Sequence, residues 1–238
     1  MILPAIPFEL ERHMLGALAN GLPHLLGCQA RGLSGRTLRE PMLGPVIPDL
    51  LIGCWAKSKR PRSYPELTWI DAHVRASLEH LAGATERELS AYLKLSPGAL
   101  AASLRRLTKH DIISPREAPA PDVRWTPNPD ALTTSLEIVA IEAKLTRWRE
   151  ATTQAASYLR FADRSYVVLD GNQVRITDCM LETVQAARVG LILQHRCVLR
   201  RVLEAPLQRP PLTAERVVAM TKLVTKRGGR AFRTLHAA

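Results

Sequence analysis

Glu142 and Lys144 are the pair of side chains in this sequence whose types and spacing most clearly suggest chemistry. They lie in an apolar segment, 136–145, in which alternate residues of a β-strand would point to opposite faces, so these two share one face. A carboxylate can bind a hard metal ion such as Mg²⁺, and an ammonium group beside it can stabilise a phosphate or act on a water molecule. The pair therefore predicts metal-assisted chemistry on a phosphate-bearing substrate.

A second carboxylate, Asp49, stands out in the apolar run 46–52. This run is predicted to be a buried strand that the chain enters through Pro48, and nothing in an apolar strand explains an acid. Further along, a helix predicted over 146–161 carries Arg147, Gln154 and Tyr158 on one stripe, at spacings of seven and four residues. Strands are expected over 165–172, 189–193 and 198–203, and a helix over 214–226.

Between these segments, 61–129 predicts a smaller α+β unit. Helices are expected from Ile70 to Leu81, from Thr85 to Leu93 with a capping box, and after the N-cap Ser96. Two short strands, 111–113 and 123–125, would follow. This order resembles a winged helix-turn-helix, whose recognition helix would lie in the major groove of DNA. Its exposed basic residues, and so the expected DNA contacts, are Arg105, Arg106 and Lys109; contact with a protein is the alternative.

The remaining parts, 1–60 and 130–238, resemble the PD-(D/E)xK nuclease superfamily. The resemblance rests on Asp49, on Glu142 and Lys144, and on the Q-x-x-x-Y of Gln154 and Tyr158, which is similar to the RecB-like branch. It implies an α/β fold with a mixed central sheet flanked by helices, interrupted here by the inserted α+β winged-helix domain. It also implies phosphodiester hydrolysis with Mg²⁺ or Mn²⁺.

The same resemblance implies roles for individual residues. Asp49 and Glu142 would hold the metal, Lys144 would act on the water or the phosphate, and Gln154 and Tyr158 would orient the water, a ligand or the DNA backbone. Two weaker assignments are Glu11, an acid on a helix predicted over 8–19, and Arg147 as a DNA contact. Asp130 and Asp122 also follow a proline, and Asp130 is the alternative first acid because it lies closer to Glu142 in the sequence.

Composition narrows the class of protein. The chain has 238 residues, a formal net charge of +11 and 46% hydrophobic residues, which predicts a globular protein with a polyanionic partner. Its four cysteines form no C-x-x-C pair, so neither a zinc ribbon nor a disulfide frame is indicated. The sequence has no apolar run of membrane-spanning length and no basic region typical of a secretion signal, which predicts a cytoplasmic protein without a membrane partner.

Two functions follow from these patterns. The first is a metal-dependent nuclease that acts on nucleic acid, with double-stranded DNA as the expected substrate and the winged helix positioning it. The second is a DNA-binding or regulatory protein that keeps the nuclease fold as a scaffold without cutting. DNA or RNA, endonuclease or exonuclease action, and a monomer or a homodimer all remain open.

Overall fold

The protein is described by a computed structural model that covers residues 8–27, 33–56, 58, 61–117, 123–132, 136–225 and 230–232. The helices in these ranges are α1 (Glu11–Leu25), α2 (Trp69–His80), α3 (Glu86–Leu93), α4 (Pro97–Lys109), α5 (Trp148–Tyr158), α6 (Asp178–Ala186) and α7 (Ala214–Val224). The strands are β1 (Leu33–Arg39), β2 (Leu50–Ala56), β3 (Ala84–Thr85), β4 (Ile113–Glu117), β5 (Val123–Pro127), β6 (Glu137–Lys144), β7 (Arg164–Asp170), β8 (Gly190–His195), β9 (Val198–Leu203) and β10 (Arg230–Phe232).

The main sheet has seven strands in the order β10-β1-β2-β6-β7-β8-β9. The β6–β7 and β7–β8 pairs are parallel, and the other pairs are antiparallel. Helices α5 and α6 form the crossovers that parallel strands require. The prediction of an α/β protein with a mixed central sheet flanked by helices is therefore confirmed. No helix in the described part of the chain combines the length and apolar character needed to cross a membrane.

Apolar side chains pack against both faces of this sheet. On one face, Met14 and Leu18 of α1 join Val139 and Ile141 of β6 in a buried cluster. On the other face, α5 and α6 pack on the central parallel strands. Helix α7 contributes to a larger buried core. That core also includes buried apolar residues from the part of the chain that connects β2 to β6. The alternation predicted for β6 is observed, because Val139 and Ile141 pack with α1 whereas Ile138 and Ala140 belong to the larger core that includes α7.

The chain leaves the main sheet after β2 and returns to it at β6. Between these strands lie α2, α3 and α4 and a three-stranded antiparallel sheet in the order β3-β5-β4, which we call the inserted unit. All three helices begin at hydroxyl caps, namely Thr68, Thr85 and Ser96. The inserted unit is not an independent lobe, because Leu78 and Leu104 share one buried cluster with Val217 of α7.

Four local predictions differ from the structure. The strand predicted over 111–113 lies further along the chain as β4, Ile113–Glu117, because residues 110–112 form the turn after α4. Helix α1 covers Glu11–Leu25 rather than 8–19, and α6 lies in a segment where no helix was predicted. The strand predicted over 46–52 begins only at Leu50, because residues 40–49 form a loop. In this loop Leu43 bridges Val46, and the Glu40 N–H donates to the Asp49 carbonyl at 2.9 Å. Asp49 is therefore the last residue of this loop, immediately before β2, and does not lie within the strand.

Candidate active site

Glu142 and Lys144 lie near the carboxyl end of β6 and are 3% and 9% exposed. Both side chains share the face of the sheet that α5 covers, as their spacing predicts. Charged groups this buried require partners, because an unpaired charge loses its hydration without compensation. The partners that the structure provides define the site.

Each carboxylate oxygen of Glu142 accepts a hydrogen bond from a different donor. Lys144 Nζ lies 2.9 Å from Oε1, and the Tyr158 hydroxyl donates to Oε2 at 2.6 Å. Burial and the neighbouring Glu142 carboxylate raise the pKa of Tyr158 far above its usual range, so the phenol stays protonated. Burial, the largest single cause, lowers the pKa of Lys144, but the hydrogen bond to Glu142 and the negative charges of Glu142, Glu11 and Asp49 together outweigh it and leave that pKa raised. The lysine is therefore an ammonium group.

Asp49 approaches the same end of β6 from the loop immediately before the neighbouring strand β2. Its Oδ2 accepts a 2.7 Å hydrogen bond from the backbone N–H of Ala143, between the two functional residues of β6. Burial, together with the negative charges of Glu142 and Glu11, raises the pKa of Asp49 to about 6, although the Ala143 N–H and Lys144 oppose the shift. The negative charges of Glu142 and Asp49 therefore disfavour each other, and a bound cation would relieve that repulsion.

Glu11 reaches the site from the first turn of α1, a helix that packs on the opposite face of the sheet. Its carboxylate lies 3.4 Å from Lys144 Nζ and 3.8 Å from Arg147 Nη2. An acid at a helix N-terminus also interacts favourably with the helix dipole. Glu11, a weaker candidate in the sequence, thus lies beside Lys144, with Asp49 and Glu142 close by.

Two residues predicted for the site are less directly engaged. Gln154 is exposed one turn before Tyr158, and its side chain contacts no site residue in the described part of the chain. Arg147 precedes α5 and forms ion pairs with Glu150 at 2.9 Å and with Glu11, leaving its side chain 63% exposed. Gln154 therefore faces solvent, whereas Arg147 lies at the rim of the site.

The structure describes two of the three aspartates considered as the first acid, Asp49 and Asp130. Asp49 is the one whose charge acts on both Lys144 and Tyr158. Asp130 lies in the turn after β5 and lines a small recess with Pro61 and Arg62. Asp122 lies outside the described residues. The arrangement therefore favours Asp49.

The residues expected to contact DNA on α4 separate into two kinds. Arg105 and Lys109 are exposed, as predicted. Arg106 is exposed as well, with 44% of its side chain accessible, but it donates through Nη2 and Nε to Asp71 of α2, at 2.8 and 3.1 Å. Asp71 is 1% exposed and also accepts from Ser103, so Arg106 joins α4 to α2 inside the inserted unit.

This link between Asp71 and Arg106 had not been predicted. The role of Asp71 at the start of α2 could have been predicted, because Thr68 and Asp71 have capping-box spacing and form that box in the structure. Its pairing with Arg106 could not, because it depends on contact between two helices whose linked residues are 35 positions apart.

The donor set of the site suits a hard divalent cation. Asp49 and Glu142 offer carboxylate oxygens, and Asp49 Oδ1 has no partner among the described residues. Mg²⁺ commonly binds one or two carboxylates and completes its coordination with water and substrate phosphate. Within the described ranges, no group of three or more His, Cys, Asp or Glu side chains is placed to hold a metal. Two carboxylates could hold Mg²⁺ or Mn²⁺ together with water and substrate, whereas a structural zinc site needs four protein ligands.

Comparisons with known proteins do not assign this chain to a family. No protein-family model matches the chain, and no curated protein matches it. A solved structure of a protein of unknown function from Silicibacter pomeroyi is 24% identical over 49% of this chain and 75% of that chain, with a TM-score of 0.27. Fold similarity at that TM-score is too low to support an argument about this protein.

Proposed function

We propose that this protein is a nuclease of the PD-(D/E)xK type that hydrolyses phosphodiester bonds in DNA with Mg²⁺ or Mn²⁺. The observation that carries the proposal is the meeting of Asp49, Glu142 and Lys144 at one end of β6. Asp49 bonds to the backbone of Ala143, 94 positions away in the chain. Residues so distant in sequence acquire a shared electrostatic environment only through the fold, and this is common at catalytic sites.

The roles of the residues follow from their contacts. Asp49 and Glu142 would hold the metal, which when bound supplies a Lewis acid that acidifies water and offsets charge on the scissile phosphate. Lys144 is protonated, so it would stabilise the phosphate or hold the water rather than remove a proton. Tyr158 fixes the orientation of the Glu142 carboxylate, and Glu11 holds the lysine from the other side.

DNA is the proposed substrate for two reasons. The chain has a net charge of +11, which favours binding to polyanions. The inserted unit also has the element order of a winged helix-turn-helix, with Arg105 and Lys109 exposed on α4. We infer that α4 contacts DNA and that the inserted unit positions the substrate for the site on β6.

One observation favours the second candidate, a DNA-binding protein that does not cut. Both oxygens of Glu142 are already bound by protein donors, Lys144 and Tyr158. A carboxylate has lone pairs enough to accept these bonds and bind a metal as well. The same contacts would nevertheless also keep the site folded without any metal.

A cleavage assay separates the two candidates. Wild-type protein would be incubated with supercoiled plasmid, linear duplex and single-stranded DNA, and with RNA, in Mg²⁺, in Mn²⁺ or in EDTA. The nuclease proposal predicts metal-dependent cleavage that Glu142→Gln abolishes. Glu182→Gln on α6 is the matched control, since Glu182 is exposed and distant from β6 in the fold. Cleavage of no substrate by wild type, or equal cleavage by Glu142→Gln, would leave the DNA-binding candidate.

A further inference from the structure

A cleft of about 1030 Å³ lies between the inserted unit and the sheet. Its walls come from the carboxyl-terminal half of α2, from β4 and β5, from the segment between β9 and α7, and from α7 itself. Glu137, at the start of β6, lines the cleft, and Glu142 follows five residues later. The cleft is therefore roughly 17 Å along the strand from the candidate active site, at about 3.3 Å per residue. It is a separate site.

The acidic residues that line the cleft are neutralised by neighbouring arginines. Glu79 pairs with Arg75 at 2.8 Å, and Asp163 pairs with Arg216 at 3.0 Å. Glu137, the third acid, pairs with Arg164 at 3.0 Å. These pairs leave the lining without an uncompensated negative charge.

Two arginines of the lining remain without a partner among the described residues. Arg116 is exposed on β4 of the inserted unit, and Arg209 is exposed in the segment between β9 and α7. They belong to the two parts of the protein that form the cleft. A third arginine, Arg75, is 4% exposed, and its Nε has no hydrogen-bond partner in the described structure. The cleft thus has a surplus of positive charge.

The size and chemistry of the cleft indicate its ligand. Its volume is at the upper end of the range for small-molecule sites, which usually combine apolar walls with a few polar groups. Leu207, Leu212 and Pro211 supply apolar surface next to the arginines. A guanidinium group matches the oxygens of a phosphate in shape and charge. An anion with two or more charges would compensate the charges of Arg116 and Arg209, which line the same cleft, whereas a neutral ligand would leave both uncompensated.

We propose that this cleft binds a phosphate-bearing ligand through Arg116 and Arg209, and so joins the inserted unit to the sheet. The phosphates have two sources, a free nucleotide or the backbone of nucleic acid. Neither source requires the metal site on β6. The proposal therefore stands or fails separately from nuclease activity.

Binding in EDTA tests the proposal without cleavage. Wild type, Arg116→Gln, Arg209→Gln and the double variant would be titrated with pyrophosphate, with ADP and with a 20-base-pair duplex, by calorimetry and by fluorescence anisotropy. Arg175→Gln is the matched control, an exposed arginine outside the cleft. Substitution of exposed residues should leave folding intact, which circular dichroism would verify.

The expected result is that the double variant loses about tenfold or more in affinity for at least one ligand, while Arg175→Gln does not. Weaker binding of pyrophosphate and ADP identifies a free nucleotide as the source. Weaker binding of the duplex alone identifies the nucleic-acid backbone. The proposal is overturned if no ligand binds, or if the double variant and wild type bind every ligand equally.

Discussion

The hydroxyl of Tyr158 donates a 2.6 Å hydrogen bond to Glu142 Oε2, so helix α5 fixes the carboxylate that lies on β6. Lys144 binds the other oxygen of the same carboxylate. With Glu142 only 3% exposed, its orientation is determined by these two protein groups rather than by water. The first prediction concerns this relationship.

Tyr158→Phe should reduce the rate of DNA cleavage by about 10- to 100-fold, the usual effect of removing a group that orients a metal ligand. It should also lower the free energy of unfolding by about 1 to 3 kcal/mol, because a buried carboxylate oxygen loses its donor. Tyr166→Phe is the control, since Tyr166 makes an equivalent 2.6 Å bond to Glu204 away from the site. Equal cleavage by Tyr158→Phe and Tyr166→Phe would refute an orienting role for Tyr158.

The raised pKa of Asp49, about 6 against 3.8 for the unperturbed group, predicts how stability depends on pH in the absence of metal. As pH rises from about 4 to about 6, the unfolded chain releases this proton before the folded protein does. The free energy of unfolding should therefore fall across that interval. Asp49→Asn removes the effect, and should be more stable than wild type at pH 8 by about 1 to 2 kcal/mol, after allowance for partial exposure.

Urea unfolding of both proteins at pH 3.5 and pH 8 checks this prediction. The difference between them should nearly vanish at pH 3.5, where Asp49 is mostly protonated in both states. Added Mg²⁺ should stabilise wild type at pH 8 and have less effect on Asp49→Asn, because ligand binding to the folded state adds stability. If Asp49→Asn were less stable than wild type at pH 8, ionisation of Asp49 would not destabilise the folded protein, and the prediction would be wrong.

Lys144→Gln should separate metal binding from catalysis. The ammonium group of Lys144 lies 2.9 Å from Glu142 and 3.4 Å from Glu11, so its removal leaves Glu142 without a positive neighbour and Glu11 with Arg147 alone. Mn²⁺ should then bind as tightly as to wild type or more tightly. Cleavage should nevertheless fall by about 100-fold or more, because a group that stabilises the phosphate is lost. Unchanged cleavage would exclude Lys144 from the chemistry.

Arg105 and Arg106 are adjacent but should respond differently to substitution. Arg106→Gln removes the bidentate partner of the buried Asp71 and should lower the free energy of unfolding by about 1 to 3 kcal/mol. Arg105→Gln, at an exposed position, should change stability by less than about 0.5 kcal/mol but weaken DNA binding. Thermal unfolding and DNA titration of each variant measure both effects. Equal stability of the two variants would contradict a structural role for Arg106.

Much of the fold could be predicted from local patterns. The capping box at Thr85, the N-cap at Ser96 and apolar spacing placed the three helices of the inserted unit, and two-residue alternation placed Glu142 and Lys144 on one face of β6. Helix α6 escaped prediction because its buried side is small, with Met180 and Val184 as its buried residues. The start of β2 was misplaced because prolines and the Leu43–Val46 bridge hold residues 40–49 in a loop.

The candidate site was harder to predict than the elements that carry it. Asp49 was identified because an acid in an apolar run has no local explanation. Its hydrogen bond to the Ala143 N–H could not be predicted, because it depends on how the strands pair. Gln154 was grouped with Tyr158 by helical spacing and by the Q-x-x-x-Y resemblance, and neither shows how close the Gln154 side chain comes to the site. Arg106 was assigned to DNA for the same reason, although its partner Asp71 lies on another helix.

Mn²⁺ binding measured by calorimetry tests most directly whether Asp49 and Glu142 form one metal centre. Wild type, Asp49→Asn, Glu142→Gln and the control Glu182→Gln would be titrated under identical conditions. We expect wild type and Glu182→Gln to bind Mn²⁺ with equal affinity, and each of the other two variants to lose about tenfold or more in affinity. Absence of binding to wild type, or equal affinity in all four proteins, would contradict this expectation.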